Sequence, residues 1–205
     1  MHVIPRLVWR LAVLSVTIGG VVMLDNVATA APRLQKVDAT AAVIADFRKR
    51  VDDYMQLHKK LESTLPKLPD HATPQQIDQN QRALGALIAQ ARAGAKPGDL
   101  FTPGMQAFVH SEFGRLFTGP QGHELRRQIH DEPHPIVPEI NKRYPDVVPL
   151  ATMPLGVLAS LPKLPDELEY RFVDSHLILM DVHAHLILDY VRDAIPNDHP
   201  PAGRQ

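Results

Sequence analysis

Asp181, His183 and His185 are the residues of this chain whose types and spacing could do chemistry. They lie in the apolar run LILMDVHAHLILD, Leu177 to Asp189. A carboxylate and two imidazoles suit zinc and similar divalent ions. Whether they can act together depends on the local backbone. In a strand, residues two apart share a face, so all three side chains would line up as a chelate. In a helix, two residues are separated by about 200°. His183 and His185 would then point to nearly opposite sides, and Asp181, His185 and Asp189 would share a face. Both patterns are present. Val182, Ala184, Leu186, Leu188 and Tyr190 alternate as a strand would, while Val182, Leu186, Ile187, Tyr190, Val191 and Ala194 form a helical stripe, with Asp181 as N-cap and Pro196 as stop. The helix is the favoured expectation for residues 182–192. It leaves a capped amphipathic helix with a solvated His185–Asp189 pair.

The order Asp-x-His-x-His is similar to the first strand of amidohydrolase barrels. Such a barrel needs about 250 residues and later strands to complete its ligands, and only twenty residues follow His185. Other histidines offer weaker patterns. His130 and His134 are four apart, but Pro133 between them breaks a helix. His123-Glu124 is followed by Leu125, Arg126 and Arg127, so no His-Glu-x-x-His is formed. His58 falls in an apolar stripe and reads as a hydrogen-bonded core or hairpin-interface histidine. No Gly-x-Ser-x-Gly elbow or phosphate-cradling glycine loop is present. Asp52 and Asp53 follow Arg48-Lys49-Arg50, as on a solvated helix face. The sequence therefore assigns no catalytic and no cofactor-binding residue. Its metal candidates are Asp181, His183 and His185, sharing an ion such as zinc with an earlier histidine.

These residues need elements to position them. Ile44, Phe47, Val51, Tyr54, His58, Leu61 and Leu65 recur at spacings of three and four, predicting a long helix capped by Asp38. Thr73-Pro74-Gln75-Gln76 predicts a capping box opening a second helix, with Ile77, Gln81, Leu84, Ile88 and Ala91 as its stripe and Gly94 and Pro97 beyond its end. A short connector makes these two an antiparallel hairpin over 31–98. Thr102-Pro103 opens a third helix with Met105, Phe108, Val109, Phe113, Leu116 and Phe117 inward, and Gly119-Pro120 opens a fourth through Leu125 and Ile129. Eight prolines between Asp131 and Asp166 predict an irregular segment whose apolar residues (Ile136, Val137, Ile140, Val147, Val148, Leu150) wrap the core, with a short helix near Pro154 to Leu161. LPKLPD occurs twice, at Leu65–Asp70 and Leu161–Asp166. Its flanks differ, so both copies read as helix terminators continuing as extended chain. Leu168, Tyr170 and Phe172 then alternate with Glu169 and Arg171, predicting a strand that turns at Asp174-Ser175 and pairs with His176 to Met180. The expected fold is one mostly helical α+β domain: a helical hairpin, two shorter helices, a Pro-rich wrap, and a C-terminal β-hairpin followed by a short helix within 99–195. Residues 196–205 read as a disordered tail.

The first 30 residues read as a secretory signal peptide. Arg6 and Arg10 precede the fourteen-residue apolar core Leu11 to Leu24, and Ala28-Thr29-Ala30 is an Ala-x-Ala site with Ala31 as the new N-terminus. Fourteen helical residues reach about 21 Å, short of a bilayer core of about 30 Å. There is no cysteine, which excludes disulfides, thiol catalysis and Cys-ligated zinc. Beyond residue 30 the chain keeps 20 basic and 22 acidic residues, a net charge of −2, with no footprint for nucleic acid. Ten of its eleven histidines also lie there, which invites metal binding or a pH response. The only tryptophan, Trp9, lies inside the signal.

From Asn141 to Val191 the chain reads NKRYPDVVPLATMPLGVLASLPKLPDELEYRFVDSHLILMDVHAHLILDYV. This stretch resembles the C-terminal signature of a family of uncharacterised secreted bacterial proteins: Arg-Tyr-Pro, Thr-x-Pro, Leu-Pro-x-Leu-Pro-x-x-Leu-Glu-Tyr-Arg-Phe-Val, then Asp-Val-x-Ala-x-Leu-Ile. Asp174-Ser175 stands where a glycine-containing turn is expected. The resemblance implies a periplasmic or extracellular protein and brings no catalytic residues. Together these readings favour a non-enzymatic interaction or structural protein that binds itself or a protein partner through its helical hairpin and meets the membrane only through the transient signal. The alternative is a divalent-metal-binding protein or metal-dependent hydrolase using Asp181, His183 and His185.

Overall fold

In a computed structural model of the chain, which describes residues 31–130, 137–146, 148 and 153–196, the stripe Phe47, Val51, Tyr54, Met55 and His58 is the buried face of the 32-residue helix α1 (Ala31–Glu62). Asp38 lies inside α1, not at its start. The surrounding run APRLQKVDATAA is rich in strong helix formers, and a single Asp costs such a helix only a few tenths of a kcal/mol. The helix ends at Glu62, where the amides of Ser63 and Thr64 fold back onto Lys59 and Leu61 carbonyls. The signal segment 1–30, with Ala28 and Ala30, and the tail beyond Pro196 lie outside the described residues.

Helix α2 (Pro74–Ala91) opens with the expected capping box: Thr73 Oγ1 accepts from the Gln76 amide at 3.3 Å, and Gln76 Oε1 accepts from the Thr73 amide at 2.8 Å. Arg92 lies over the Tyr54 ring, and Asn80 donates to the Pro66 carbonyl, so α1 and α2 run antiparallel. Leu84, Gly85 and Ile88 are buried, whereas Ile77, expected in the stripe, is 41% exposed. Asn80 already lies beyond the end of α1, so the first turn of α2 has no facing helix. Helices α3 (Pro103–Leu116), capped by Thr102, α4 (Gly119–His130) and α5 (Leu155–Ser160) follow. Both LPKLPD copies take one local form: a bend at the first Leu, extended chain, then a turn at Asp. In the second copy Leu161 and Leu164 pack on the core, while in the first Leu68 is exposed.

Three antiparallel strands in the order β1-β2-β3 complete the fold: β1 (Leu168–Val173), β2 (His176–Asp181) and β3 (Leu186–Val191). β1 and β2 form the expected hairpin, with Val173 opposite His176 and Asp174 in the left-handed region at φ 52°. One face, carrying Leu168, Tyr170, Phe172, Leu177, Leu179, Leu186, Leu188 and Val191, packs on the helices. The other carries Val173, Ile178, Met180, Ile187 and Tyr190, and is covered by Tyr144 with Ile140 and Val148. The Pro-rich segment thus wraps the sheet through these residues, while Val137 is 80% exposed. Ile136, Val147 and Leu150 lie outside the described residues.

The expected final helix is replaced by β3. β3 is covered on both faces, so apart from Asp189 its residues are apolar on both, and a run of that kind suits a helical stripe as well as a strand. Its outer edge is also satisfied: the Asn141 amide donates to Ile187 O, the Ile187 amide to Lys142 O, and the Tyr144 amide to His185 O. No described helix is long and apolar enough to cross a membrane.

Asp189, expected on a solvated face with His185, is instead fully buried in β3. Its carboxylate accepts the backbone amides of Gly98 at 3.0 Å and of Leu100 and Phe101 at 2.8 Å each, pinning the α2–α3 loop to the sheet. A hydrogen bond to a charged group contributes about 1.5–3 kcal/mol, and orphaned buried donors cost more. Asp189→Ala should therefore lower stability by about 3 kcal/mol or more, read from the urea unfolding midpoint. A loss under about 1 kcal/mol would contradict this role.

Candidate metal centre

Tyr54, His58 and Glu62 recur every fourth residue, so they lie at successive turns along one side of α1. The turn 182–185, between β2 and β3, lies across from them. Asp181 ends β2 and is fully buried. Its Oδ2 accepts from Tyr54 Oη at 2.5 Å and lies 2.6 Å from His58 Nδ1. Its Oδ1 accepts the Ala184 amide at 2.8 Å and so closes the turn. Because Gly85 has no side chain, α2 can approach this turn: a Cβ there would stand 3.2 Å from Ala184 O.

The contact with Asp181 fixes the histidine's tautomer. With the Nδ1 proton directed at the carboxylate, neutral His58 presents a lone pair at Nε2. His58 is fully buried, and its Nε2 makes no hydrogen bond. That nitrogen is 3.4 Å from Glu62 Oε2, and the His183 ring lies 5.6 Å from the His58 ring between centroids. His183 Nδ1 is 3.1 Å from Glu62 Oε1. Donor atoms of His58, Glu62 and His183 all fall within 4.8 Å of one another. His183 and Glu62 are partly exposed, with 48% and 42% of their side chains accessible, so the cluster is closed by the core on the His58 side and reaches solvent on the other.

Electrostatics favour the charged form of both members of the inner pair. Burial, the largest influence on His58, pushes its pKa down. The hydrogen bond and charge of Asp181, with the charges of Glu62 and Glu167, outweigh it and hold the pKa above the usual 6.5. Burial pushes Asp181 up, but the hydrogen bonds of His58, Tyr54 and the Ala184 amide hold its carboxyl below the usual 3.8. Burial, then the charge of Asp181, keeps the Tyr54 phenol protonated. Tyr54 is fixed from behind by Arg92, whose Nη1 and Nη2 donate to Asn141 Oδ1 and Leu188 O.

The expected trio Asp181, His183 and His185 does not assemble. Residues 182–185 form a turn, so neither the shared strand face nor the helical separation applies. Asp181 has both oxygens engaged and supports His58 from behind. His185, at φ 52°, turns to the opposite side, with Nε2 3.7 Å from Asp146 Oδ1 and its ring edge-on to Tyr144. Burial, followed by the Arg143 charge, lowers the His185 pKa. Of the trio, only His183 joins the cluster. His58, expected as an interface histidine, is at the interface and also presents a free donor atom. Glu62 was not singled out by the sequence reading. Its i, i+4, i+8 relation to His58 and Tyr54 is the signal that points to it. No hydroxyl bonds to His58 Nε2 among the described residues. No family model matches the chain, and no curated protein or solved structure matches it significantly.

Removing one member of a buried ion pair costs about 3–5 kcal/mol, and Asp181→Ala should cost that much in chelator-treated protein. A folded-state His58 pKa above 6.5 means its contribution is complete below that pH and is lost as pH rises through the raised value. The lowered Asp181 pKa means its contribution is complete above 3.8 and is lost as pH falls through the lowered value. The pair therefore contributes fully between these two values. The stability difference between wild type and His58→Asn should shrink as pH rises from 6.5. Thermal unfolding of both proteins across this range checks the slope, and a constant difference contradicts it.

Proposed function

We propose that this is an exported protein that binds a divalent ion of the zinc class through His58 Nε2, Glu62 and His183. The observation that carries the reading is the buried, unbonded His58 Nε2, aimed at a carboxylate and a second imidazole. In neutral His58 that nitrogen would be left without a partner, at a cost of about 1–3 kcal/mol, and a metal ion satisfies it; in protonated His58 the Nε2 proton faces Glu62 Oε2 at 3.4 Å, and the ion takes that proton's place. The spacing is compatible. Zinc bonds of about 2.0–2.2 Å at tetrahedral angles set neighbouring donors roughly 3.3–3.5 Å apart; Glu62 Oε1 lies 3.1 Å from His183 and Glu62 Oε2 3.4 Å from His58, and one donor atom from each residue falls within 4.8 Å of the others, so a small closure brings the three to one ion. Asp181 supplies the carboxylate behind the imidazole that accompanies most histidine–metal bonds. The sequence supports export, through its signal-like first 30 residues and the resemblance to secreted proteins, and the absence of cysteine leaves nitrogen and oxygen donors as its ligand set.

Exported protein, with its start at Ala31 checked by intact mass, should bind one zinc per chain in calorimetry and gain thermal stability with it. His183→Gln and Glu62→Gln should abolish binding near the wild-type affinity. Asp181→Asn should weaken it by about 10–100-fold, and His185→Asn should leave it unchanged. Absence of zinc binding at micromolar affinity, or loss of binding in His185→Asn alone, would reject the reading.

A second reading rests on Leu68 and Ile77, which are 42% and 41% exposed at the connected end of the helical hairpin. They support self-association or capture of a protein partner by that end. Light scattering should then show a dimer that Leu68→Asp dissociates, and a monomeric wild type rejects self-association through this end.

A further inference from the structure

Resting on the metal reading, we propose that the ion keeps one coordination position open toward solvent, holding an exchangeable water that a small monodentate anion displaces. The site is thus of the Lewis-acid type and not a closed structural one. Among the described residues the cluster supplies three donor side chains: His58, Glu62 and His183. Structural zinc sites use four protein ligands, whereas catalytic sites use three plus water. Glu167 acts on His58 through its charge but is not within the donor cluster, and two other neighbours are engaged elsewhere. Asp181 Oδ2 serves Tyr54 and His58, and Oδ1 serves the Ala184 amide. His185 faces Asp146 and Tyr144 across the turn.

Burial is one-sided. His58 is fully enclosed, but nearly half of each of the Glu62 and His183 side chains is accessible. The position opposite His58 therefore faces water. Charge selects the ligand. The coordinating groups, one carboxylate and two neutral imidazoles, leave a dication with a charge of +1 at the ion, while the Asp181 charge lies behind His58 on the buried side; the open side therefore favours an anionic oxygen or nitrogen donor over a neutral one. Water held there is acidified, with a pKa of about 7 in zinc sites of this ligand count. Exchange of water for a monodentate carboxylate or azide changes no oxidation state and releases one water.

Cobalt(II) tests this, because its visible spectrum reports coordination. Full-length protein is stripped with chelator, loaded with cobalt, and titrated with sodium azide, then with sodium acetate. The expected result is one cobalt per chain, with ligand-field bands that shift and saturate on titration in wild type and in His185→Asn. His183→Gln, a change at a partly exposed side chain, should lower cobalt affinity by at least about tenfold. Stoichiometric cobalt with a spectrum indifferent to both anions overturns the open position and leaves the metal reading standing. Failure to bind cobalt or zinc in folded protein overturns both.

Discussion

The Asp181 carboxylate is the constraint on which the arrangement of this protein depends. It has no solvent contact, and it receives hydrogen bonds from α1 through Tyr54 and His58 and from the following turn through the Ala184 amide. Apolar packing tolerates small slides of a helix over a sheet, because the area removed from water hardly changes. A buried charge does not, since any displacement that breaks its hydrogen bonds leaves the charge uncompensated. Asp189, on the neighbouring strand, does the same for the α2–α3 loop. The two acids thus fix α1 and the α2–α3 loop to the sheet.

Orientation of His58 follows from the same bond. One ring nitrogen is committed to Asp181, so the other is left facing Glu62 and His183. The turn adds the second imidazole because Asp181 Oδ1 holds the Ala184 amide, which brings His183 over α1 and sends His185 to the far side. A group that stabilises the fold therefore also arranges the donors of the candidate centre. This dual use explains why the cluster is half buried: its inner wall is core, and its outer wall is the exposed end of α1 and a turn.

Much of the fold is legible in the sequence. The stripe from Phe47 to His58, the Thr73–Gln76 capping box, Thr102 before Pro103, and the alternation of Leu168, Tyr170 and Phe172 each carry a local signal that the structure repeats. β3 was not legible. Its residues are covered on one face by the helices and on the other by Tyr144, Ile140 and Val148, so apolar residues lie on both faces and fit a helical stripe as well as a strand. Asp38 and Ile77 failed for related reasons: a cap-forming residue and an apolar residue gain their roles only from what lies beside them.

The candidate centre divides in the same way. By itself, the sequence determined that no thiolate could be among the donors of the candidate centre, since the chain has no cysteine. It also determined that α1 carries Tyr54, His58 and Glu62 along one side, because helical periodicity is local. Only the tertiary structure decided which donors meet. His183 lies 121 positions from Glu62, and Asp181 lies 123 from His58. No periodicity spans such distances. A pairing of that kind is set by packing the hairpin against the sheet, and a four-residue turn determines which of two neighbouring histidines is delivered to it.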